Sequence, residues 1–407
     1  FMGESFVKTV LDTKGLSMIR IGDQQTVNLV RFFDELPDPR SEVNRLHLLG
    51  DVIVTAICAV VAGADGPTAI AKWAQLNEPW LKKHLKLPRG TPGKDTFRRV
   101  LSSLNPILFQ ECFGQWLESL RVAGGGESND DATRKMRHVA IDGKTLRRSH
   151  DKKNGLGPLH VVSAWASDCS IALGQTATDE KSNEITAIPE LLKMIDVEDA
   201  VVTIDAAGCQ KNIARQIVEG KGDYVLALKG NHEKLFDEVR LVLGCHLQDD
   251  FADCPVSRHV EVEQGHGRLE ARQYYQITAP SYLHGRSQWK GLKTIGVAVR
   301  TYEHNGVEKT DARYYLSSLR RHGERFAAAV RRHWSVENTL HWSLDMTYRE
   351  DESRVRDRRF AENLAWLRRM TLSLIKRHPS KDSQIMKRRM AGWNVDFLMQ
   401  ILTGKGT

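Results

Sequence analysis

The sequence has no C-x-x-C pair: its six cysteines, Cys58, Cys112, Cys169, Cys209, Cys245 and Cys254, stand far apart along the chain. That spacing argues against a zinc cluster and against a disulfide framework, so the thiols read as reduced core residues. No stretch approaches the ~18 uninterrupted apolar residues needed to cross a bilayer. The apolar segment 52–62 is too short, and it lacks the basic flank and early position of a secretory signal, so it reads as a buried helix in a cytoplasmic protein. Phe1, ahead of Met2, is set aside from the fold argument. With 407 residues, 41% hydrophobic and 27% charged, the chain is too long for one small module and has the composition of an ordinary soluble protein.

What the sequence does hold is positive charge. The formal net charge is +8 and the pI is near 9.1, which suits a polyanionic partner and, for a cytoplasmic chain, the nucleoid. Between His322 and Arg389, sixteen Lys or Arg stand against nine Asp or Glu, a balance of +7. Nearly all of the excess therefore lies in the last fifth of the chain.

Residues 1–123 read as an N-terminal helical domain, with helices expected over 46–62, 67–76, 80–87 and 94–104. The last begins in a turn, 91–96, with an N-capping Asp95 or Thr96, and carries adjacent Arg98 and Arg99. Short helices ending in a basic one resemble a helix-turn-helix DNA reader, and a plain helical packing module accounts for the same pattern. Gly124-Gly125-Gly126-Glu127-Ser128-Asn129-Asp130-Asp131 marks a linker over 124–136.

The pattern then changes. Short runs rich in Val, Ile, Ala and Thr predict strands over 137–142, 159–166, 171–178, 200–205 and 223–228, with helices over 183–194 and 210–219. The order β-β-β-α-β-α-β matches a ribonuclease-H-like α/β fold, with 137–254 as the first part of its core. Residues 255–319 alternate again, with turns at Gly265, Gly267 and Gly306, and read as an inserted β-rich subdomain. Residues 320–407 complete the core with helices over 324–343 and 358–376.

Two segments share one design: Val139-Ala140-Ile141-Asp142-Gly143 and Val201-Val202-Thr203-Ile204-Asp205-Ala206. In each, a β-branched apolar run ends in Asp, and a small residue follows that lets a ligand approach. In the expected strand order the two are neighbours at the sheet edge. Unpaired carboxylates that close repel unless a cation bridges them, and hard oxygen donors select magnesium or manganese over zinc. Taken singly, each Asp reads first as a turn or capping residue, and it is the repeated context in a fitting strand order that favours a metal site.

A third acid comes from helical spacing. Val330, Trp334, Glu337, His341 and Leu344 fall on one largely apolar face, so Glu337 is expected to point inward and to meet a cation. An ion pair with Arg331 or Arg332, or a hydrogen bond to His341, would also satisfy it.

Asp142-Gly143-Lys144, Thr203-Ile204-Asp205-Ala206-Ala207-Gly208-Cys209-Gln210, Leu226-Ala227-Leu228-Lys229-Gly230-Asn231 and His333-Trp334-Ser335-Val336-Glu337-Asn338 together resemble bacterial insertion-sequence transposases with an Asp-Asp-Glu triad, specifically the H-repeat-associated branch. The likeness runs from Phe32-Phe33-Asp34 to Arg377. It implies Mg²⁺-dependent cutting of transposon ends and joining to target double-stranded DNA, Mn²⁺ substituting, by a homodimer assembled on DNA. It also implies Asp142, Asp205 and Glu337 as metal ligands and a β-rich insertion before the Glu. Many relatives place Tyr, Arg and Lys around the Glu, where this chain has Val330, His333 and Leu344; Arg331, Arg332 and His333 are the expected substitutes.

As a group beside such a triad, Lys144, Arg147, Arg148, Lys229, Asn231, Asn338, Arg354, Arg356, Arg358 and Arg359, with Arg98 and Arg99, are expected DNA contacts, although each alone reads as a solvated surface residue. His341 reads first as a core histidine, Asp345 as a surface or capping acid and Glu184 as an ordinary first-turn acid, each an auxiliary candidate. Trp165, Trp289 and Trp334 read first as core, with stacking on a flipped base as the other use. Two further functions fit the same residues: a nuclease that does not integrate, and a DNA-binding regulator that no longer cuts.

Overall fold

The computed structural model describes residues 25–123, 137–178, 183–265, 268–304 and 307–404. The glycine-rich linker 124–136 and the turns expected at Gly267 and Gly306 lie outside them.

Six helices come first: α1 (Gln25–Asp34), α2 (Leu49–Val61), α3 (Pro67–Leu76), α4 (Glu78–Leu81), α5 (Lys94–Ser103) and α6 (Pro106–Ala123). α2 is apolar apart from Asp51 and Thr55, and all of its residues are buried among the others, with Asp51 Oδ2 accepting from Leu87 N at 2.8 Å. α5 buries Phe97, Val100 and Leu101 and turns Arg98 and Arg99 to solvent. Its N-cap is Gly93 with no side-chain hydrogen bond, so the expected capping by Asp95 or Thr96 is not made; Asp95 sits within the first turn.

The sheet begins with β1 (Arg137–Thr145), β2 (His160–Ala166) and β3 (Ile171–Thr178), paired antiparallel. After α7 (Glu184–Met194) comes β4 (Ala200–Ile204), which pairs in parallel with β1, and after α8 (Lys211–Glu219) comes β5 (Asp223–Leu228), which pairs in parallel with β4. The β-β-β-α-β-α-β order expected from sequence is the order observed. α9 (Glu233–Gln248) follows, then β6 (Val256–Gly265), β7 (Arg268–Thr278), β8 (Thr294–His304) and β9 (Val307–Ser317).

These last four strands do not form a sheet of their own. β9 pairs antiparallel with β5 from Val225↔Ser317 to Leu228↔Tyr314, giving one nine-stranded sheet in the order β3-β2-β1-β4-β5-β9-β8-β7-β6. Without β9, β5 would leave a row of backbone donors and acceptors unpaired at an edge, and the segment expected to stand apart satisfies them.

α7, α8 and α9 cover one side of the sheet through Val139, Ile141, Val162, Val202, Ile204 and Leu226. The other side takes α10 (Gly323–Val336), a π-helical turn at Glu337–His341, α11 (Trp342–Tyr348), α12 (Arg358–Arg377), α13 (Gln384–Trp393) and α14 (Val395–Thr403). The N-terminal helices share one continuous apolar core with α12, α13 and α14 and with Ala140, Trp165 and Ala172 of the sheet. They are thus built onto the sheet rather than hung from it.

That packing redirects part of the basic C-terminal charge. Arg368, Arg369, Lys387 and Arg388 are buried. Lys387 Nζ donates to His378 O at 2.7 Å and Ile375 O at 3.3 Å, closing the end of α12; Arg388 donates to Val60 O at 2.9 Å in the last turn of α2, and to Thr347 O in α11. Orphan carbonyls at helix C-termini are negative ends, and these cations meet them inside the protein. Three of the six cysteines, Cys58, Cys112 and Cys209, are the expected core thiols, whereas Cys169 and Cys245 are exposed; all six are free.

Candidate active site

Parallel pairing of β1 with β4 ends at Ile141↔Ile204, and the next residues are Asp142 and Asp205. Two carboxylates therefore leave neighbouring strands at the same level. β1 itself continues to Thr145 against β2, so Asp142 is not a strand end as expected but the point where β4 diverges. Side chains alternate along a strand, which places Asp142 with Ala140 and Lys144, and Asp205 with Thr203, on the side crossed by α10.

Each Asp has one oxygen fixed by the backbone. Asp142 Oδ1 accepts from Gly143 N at 2.9 Å; Asp205 Oδ1 accepts from Ala207 N at 3.0 Å and Gly208 N at 3.3 Å. Asn231 Nδ2 donates to Ala206 O at 2.8 Å and braces the same loop from the end of β5.

Glu337 opens the π-helical turn that follows α10. It is exposed, and Trp334 is 41% exposed, while Val330, His341 and Leu344 are buried. The expected inward-facing stripe breaks there: Val336 and Leu340 are the buried residues at this level, and the π turn shifts only the positions that follow it around the axis. The argument that burial compels Glu337 to find a cation accordingly fails. Its charge nevertheless acts on Asp142.

Asp142 is the perturbed acid. Its carboxyl is pushed up to about 7, first by burial and then by the negative charges of Asp205, Glu184 and Glu337. The nearest base does not compensate: His341 Nδ1 lies 3.6 Å from Asp142 Oδ2, but burial, aided by the positive charges of Arg369 and Lys144, pushes that imidazole down to about 3. His333, whose Nδ1 is 3.1 Å from Thr203 Oγ1, is likewise pushed down to about 4 by burial, against the pull of Asp205. Converging carboxylates flanked by neutral histidines are an arrangement that a cation would relieve.

Among the described residues, no group of three or more His, Cys, Asp or Glu is already drawn together as a ligand shell. The donor chemistry still fits a hard divalent ion. Asp142 and Asp205 offer carboxylate oxygen from rigid strands, and Glu337 offers it from an exposed helical turn free to approach.

The expected DNA contacts divide. Lys144 is buried, its Nζ 2.9 Å from both Asp345 and Asp351, so it does not face solvent as a phosphate contact would. Asp345, expected at the surface, is its partner. Arg147 is exposed and reaches Asp351 at 3.1 Å, and Arg331 pairs with Glu261 at 3.4 Å and with Glu263 on β6. Arg148, Lys229, Asn231, Asn338, Arg354, Arg356 and Arg359 are exposed; Arg332, His333 and Arg358 are partly covered. Trp165 and Trp289 are core residues, and Trp334 carries Arg313 over its ring at 4.1 Å from the centroid.

Sequence reasoning missed the supports of the site. Ser163, opposite Asp142 on β2, accepts from Arg369 Nε at 3.0 Å, and Arg369 Nη1 in turn meets Glu350 Oε1 at 3.0 Å in a fully buried pair. Glu184 is also buried rather than an ordinary first-turn acid, with its Oε1 2.6 Å from His160 Nε2. A glycine directly after Asp142 was the available signal, because it leaves room for something to approach β1 there.

The fold and site define an α/β protein whose sheet edge sets two aspartates side by side beneath a helix that ends in a third acid. The Transposase DDE domain family matches residues 133–374, and its companion, DDE_Tnp_1-associated, matches residues 30–117. The H repeat-associated putative transposase YhhI of Escherichia coli (strain K12) is 37% identical over 389 residues, which cover 93% of this chain and 98% of that protein. The Putative transposase YncI of Escherichia coli O157:H7 is 35% identical over 380 residues, covering 92% and 94%. The chain belongs to the DDE transposase family, in the H repeat-associated branch.

Proposed function

We propose that this protein cuts transposon ends and joins them to target DNA at a site formed by Asp142, Asp205 and Glu337 on a ribonuclease-H-like core. The observation that carries this reading is the paired exit of Asp142 and Asp205 from adjacent parallel strands, with the Asp142 carboxyl pushed up to about 7 by burial and then by the acids around it. The three carboxylates would hold Mg²⁺ or Mn²⁺. Bound there, the ions supply activation of an attacking water or 3′-hydroxyl and stabilisation of the leaving oxygen.

The chain's own residues do the positioning. The backbone N–H groups of Gly143, Ala207 and Gly208 orient the two Asp side chains, and the buried Arg369–Glu350 pair steadies β2 beneath them. The neutral imidazoles of His333 and His341 leave the acids free to bind a cation. Exposed Arg148, Lys229, Arg354 and Arg356, with Arg98 and Arg99 on α5, contact DNA phosphates; Asn338, beside Glu337, contacts the bound end. Arg147, Arg331, Arg332 and His333 border this surface, whereas Lys144 and Asn231 hold the site's framework. A homodimer assembled on paired ends brings two such sites to the target, and the protein works at the nucleoid.

The test incubates the protein with end-containing DNA, Mg²⁺ and a target plasmid, beside Asp142→Asn, Asp205→Asn and Glu337→Gln. Metal-dependent cleavage followed by joined products, lost in all three variants while DNA binding persists, is expected. Cleavage that survives all three sinks the site. Cleavage without joining selects a nuclease, and binding without cleavage selects a regulator.

A further inference from the structure

On the side of the sheet away from Asp142, β1 carries an unusual load at Gly143. A Cβ at this position would fall within 3.0 Å of both His160 Nε2 and Glu184 Oε1. Those two side chains are buried and meet each other at 2.6 Å. His160 is held from its other nitrogen by Thr145 Oγ1 at 2.9 Å, two residues along β1 from the glycine. Glu184 is the first residue of α7, whose Ala187, Ile188 and Leu191 pack against the same side of the sheet. A chain of hydrogen bonds thus runs from the start of α7, through His160 on β2, to Thr145 on β1, and closes directly behind the residue that follows Asp142.

We propose that the His160–Glu184 pair is a positioning device for Asp142: it presses on β1 through the opening at Gly143 and fixes where the Asp142 carboxylate stands relative to Asp205. The proposal rests on the reading of Asp142 and Asp205 as metal ligands. Glu184 is not itself a ligand in it. Residues 141, 143 and 145 face α7, residues 140, 142 and 144 face α10, and the pair lies on the α7 side, so it acts on Asp142 through the backbone. Glu184 at Nε2 and the Thr145 hydroxyl at Nδ1 hold the imidazole from both sides, which locks the ring's orientation. The glycine is the geometric condition, since any side chain there would displace the pair.

The experiment uses the full chain and measures Mn²⁺ binding by electron paramagnetic resonance, and kcat and KM for cleavage of a DNA end. Glu184→Ala and His160→Ala should lose on the order of 10- to 100-fold in Mn²⁺ affinity and kcat, with KM for DNA unchanged, the range typical of groups that orient metal ligands. Glu184→Gln, whose amide oxygen still accepts from His160, should recover most of both. Glu184→Gln as impaired as Glu184→Ala would overturn the proposal, because the charge itself would then act at the metal; so would an unimpaired Glu184→Ala. If Glu184→Ala fails to fold, Thr145→Val decides: unchanged Mn²⁺ affinity and kcat in that variant refute the positioning role. Asp142→Asn separates the two readings. If it binds Mn²⁺ as the wild type does, the carboxylate site itself fails; if it loses Mn²⁺ and activity while Glu184→Ala and Thr145→Val lose neither, only the positioning role fails.

Discussion

Gly143→Ala is the sharpest single perturbation available at this site, because its consequence follows from geometry. The added methyl would lie within 3.0 Å of His160 Nε2 and Glu184 Oε1. Neither neighbour can swing aside: His160 is 1% exposed and pinned by Thr145, and Glu184 is buried as the first residue of α7. Overpacking of this kind costs about 1–3 kcal/mol. Separating a carboxylate from its buried donor costs about 1.5–3 kcal/mol more. Replacing glycine in a strand returns roughly 0.5–1 kcal/mol of chain entropy, so a net loss of about 2–5 kcal/mol is expected. Urea unfolding followed by tryptophan fluorescence measures it. Gly114→Ala is the control: Gly114 is exposed in the middle of α6 with nothing within 4 Å of a built Cβ, and its replacement should stabilise by up to about 1 kcal/mol. A Gly143→Ala loss below about 0.5 kcal/mol would refute the close packing behind Asp142.

Four further outcomes can be measured. With its carboxyl raised from 3.8 to about 7, Asp142 opposes folding increasingly as pH rises between those values and most above about 7, so Mn²⁺ should stabilise the protein more at pH 8 than at pH 5. Calorimetry in buffers of different ionisation heat should then show more proton release on Mn²⁺ binding at pH 6 than at pH 8; equal release at both pH values contradicts the assignment. Glu350→Gln leaves Arg369 buried without its counter-charge and should cost about 3–5 kcal/mol in denaturation, against less than 1 kcal/mol if the pair is incidental. Arg354→Ala and Arg356→Ala should each flatten the salt dependence of DNA binding by roughly 0.9 in log–log slope. Arg388→Ala, removed from a buried helix end, should lower the melting temperature and leave that slope alone.

Local features carried well from sequence to structure. The strand over 171–178, the strand over 223–228 and the helix over 67–76 match β3, β5 and α3 residue for residue, since turn residues and β-branched runs specify them locally. α9 was not anticipated, and α1, α6, α13 and α14 fall in regions read as helical without being individually expected. The two Asp residues were readable because an apolar run ending in Asp and a small residue is a local pattern, and it occurs twice.

Whatever depended on partners distant in sequence was not readable. Glu337 faces solvent while its neighbours Val336 and Leu340 are buried, and the loss of Lys144 to Asp345 and Asp351 joins residues about two hundred positions apart. The merging of 256–317 into the central sheet depends on the open edge of β5, and the withdrawal of Arg388 from the surface depends on a carbonyl in α2. The sequence by itself determined the succession of the first five strands along the chain and the aspartate that follows each of two apolar runs, because hydrophobic period and turn chemistry act over a few residues. Only the tertiary structure decided which charges meet solvent, which are spent inside, and what stands behind Gly143, because burial and pairing are properties of surfaces that folding alone brings together.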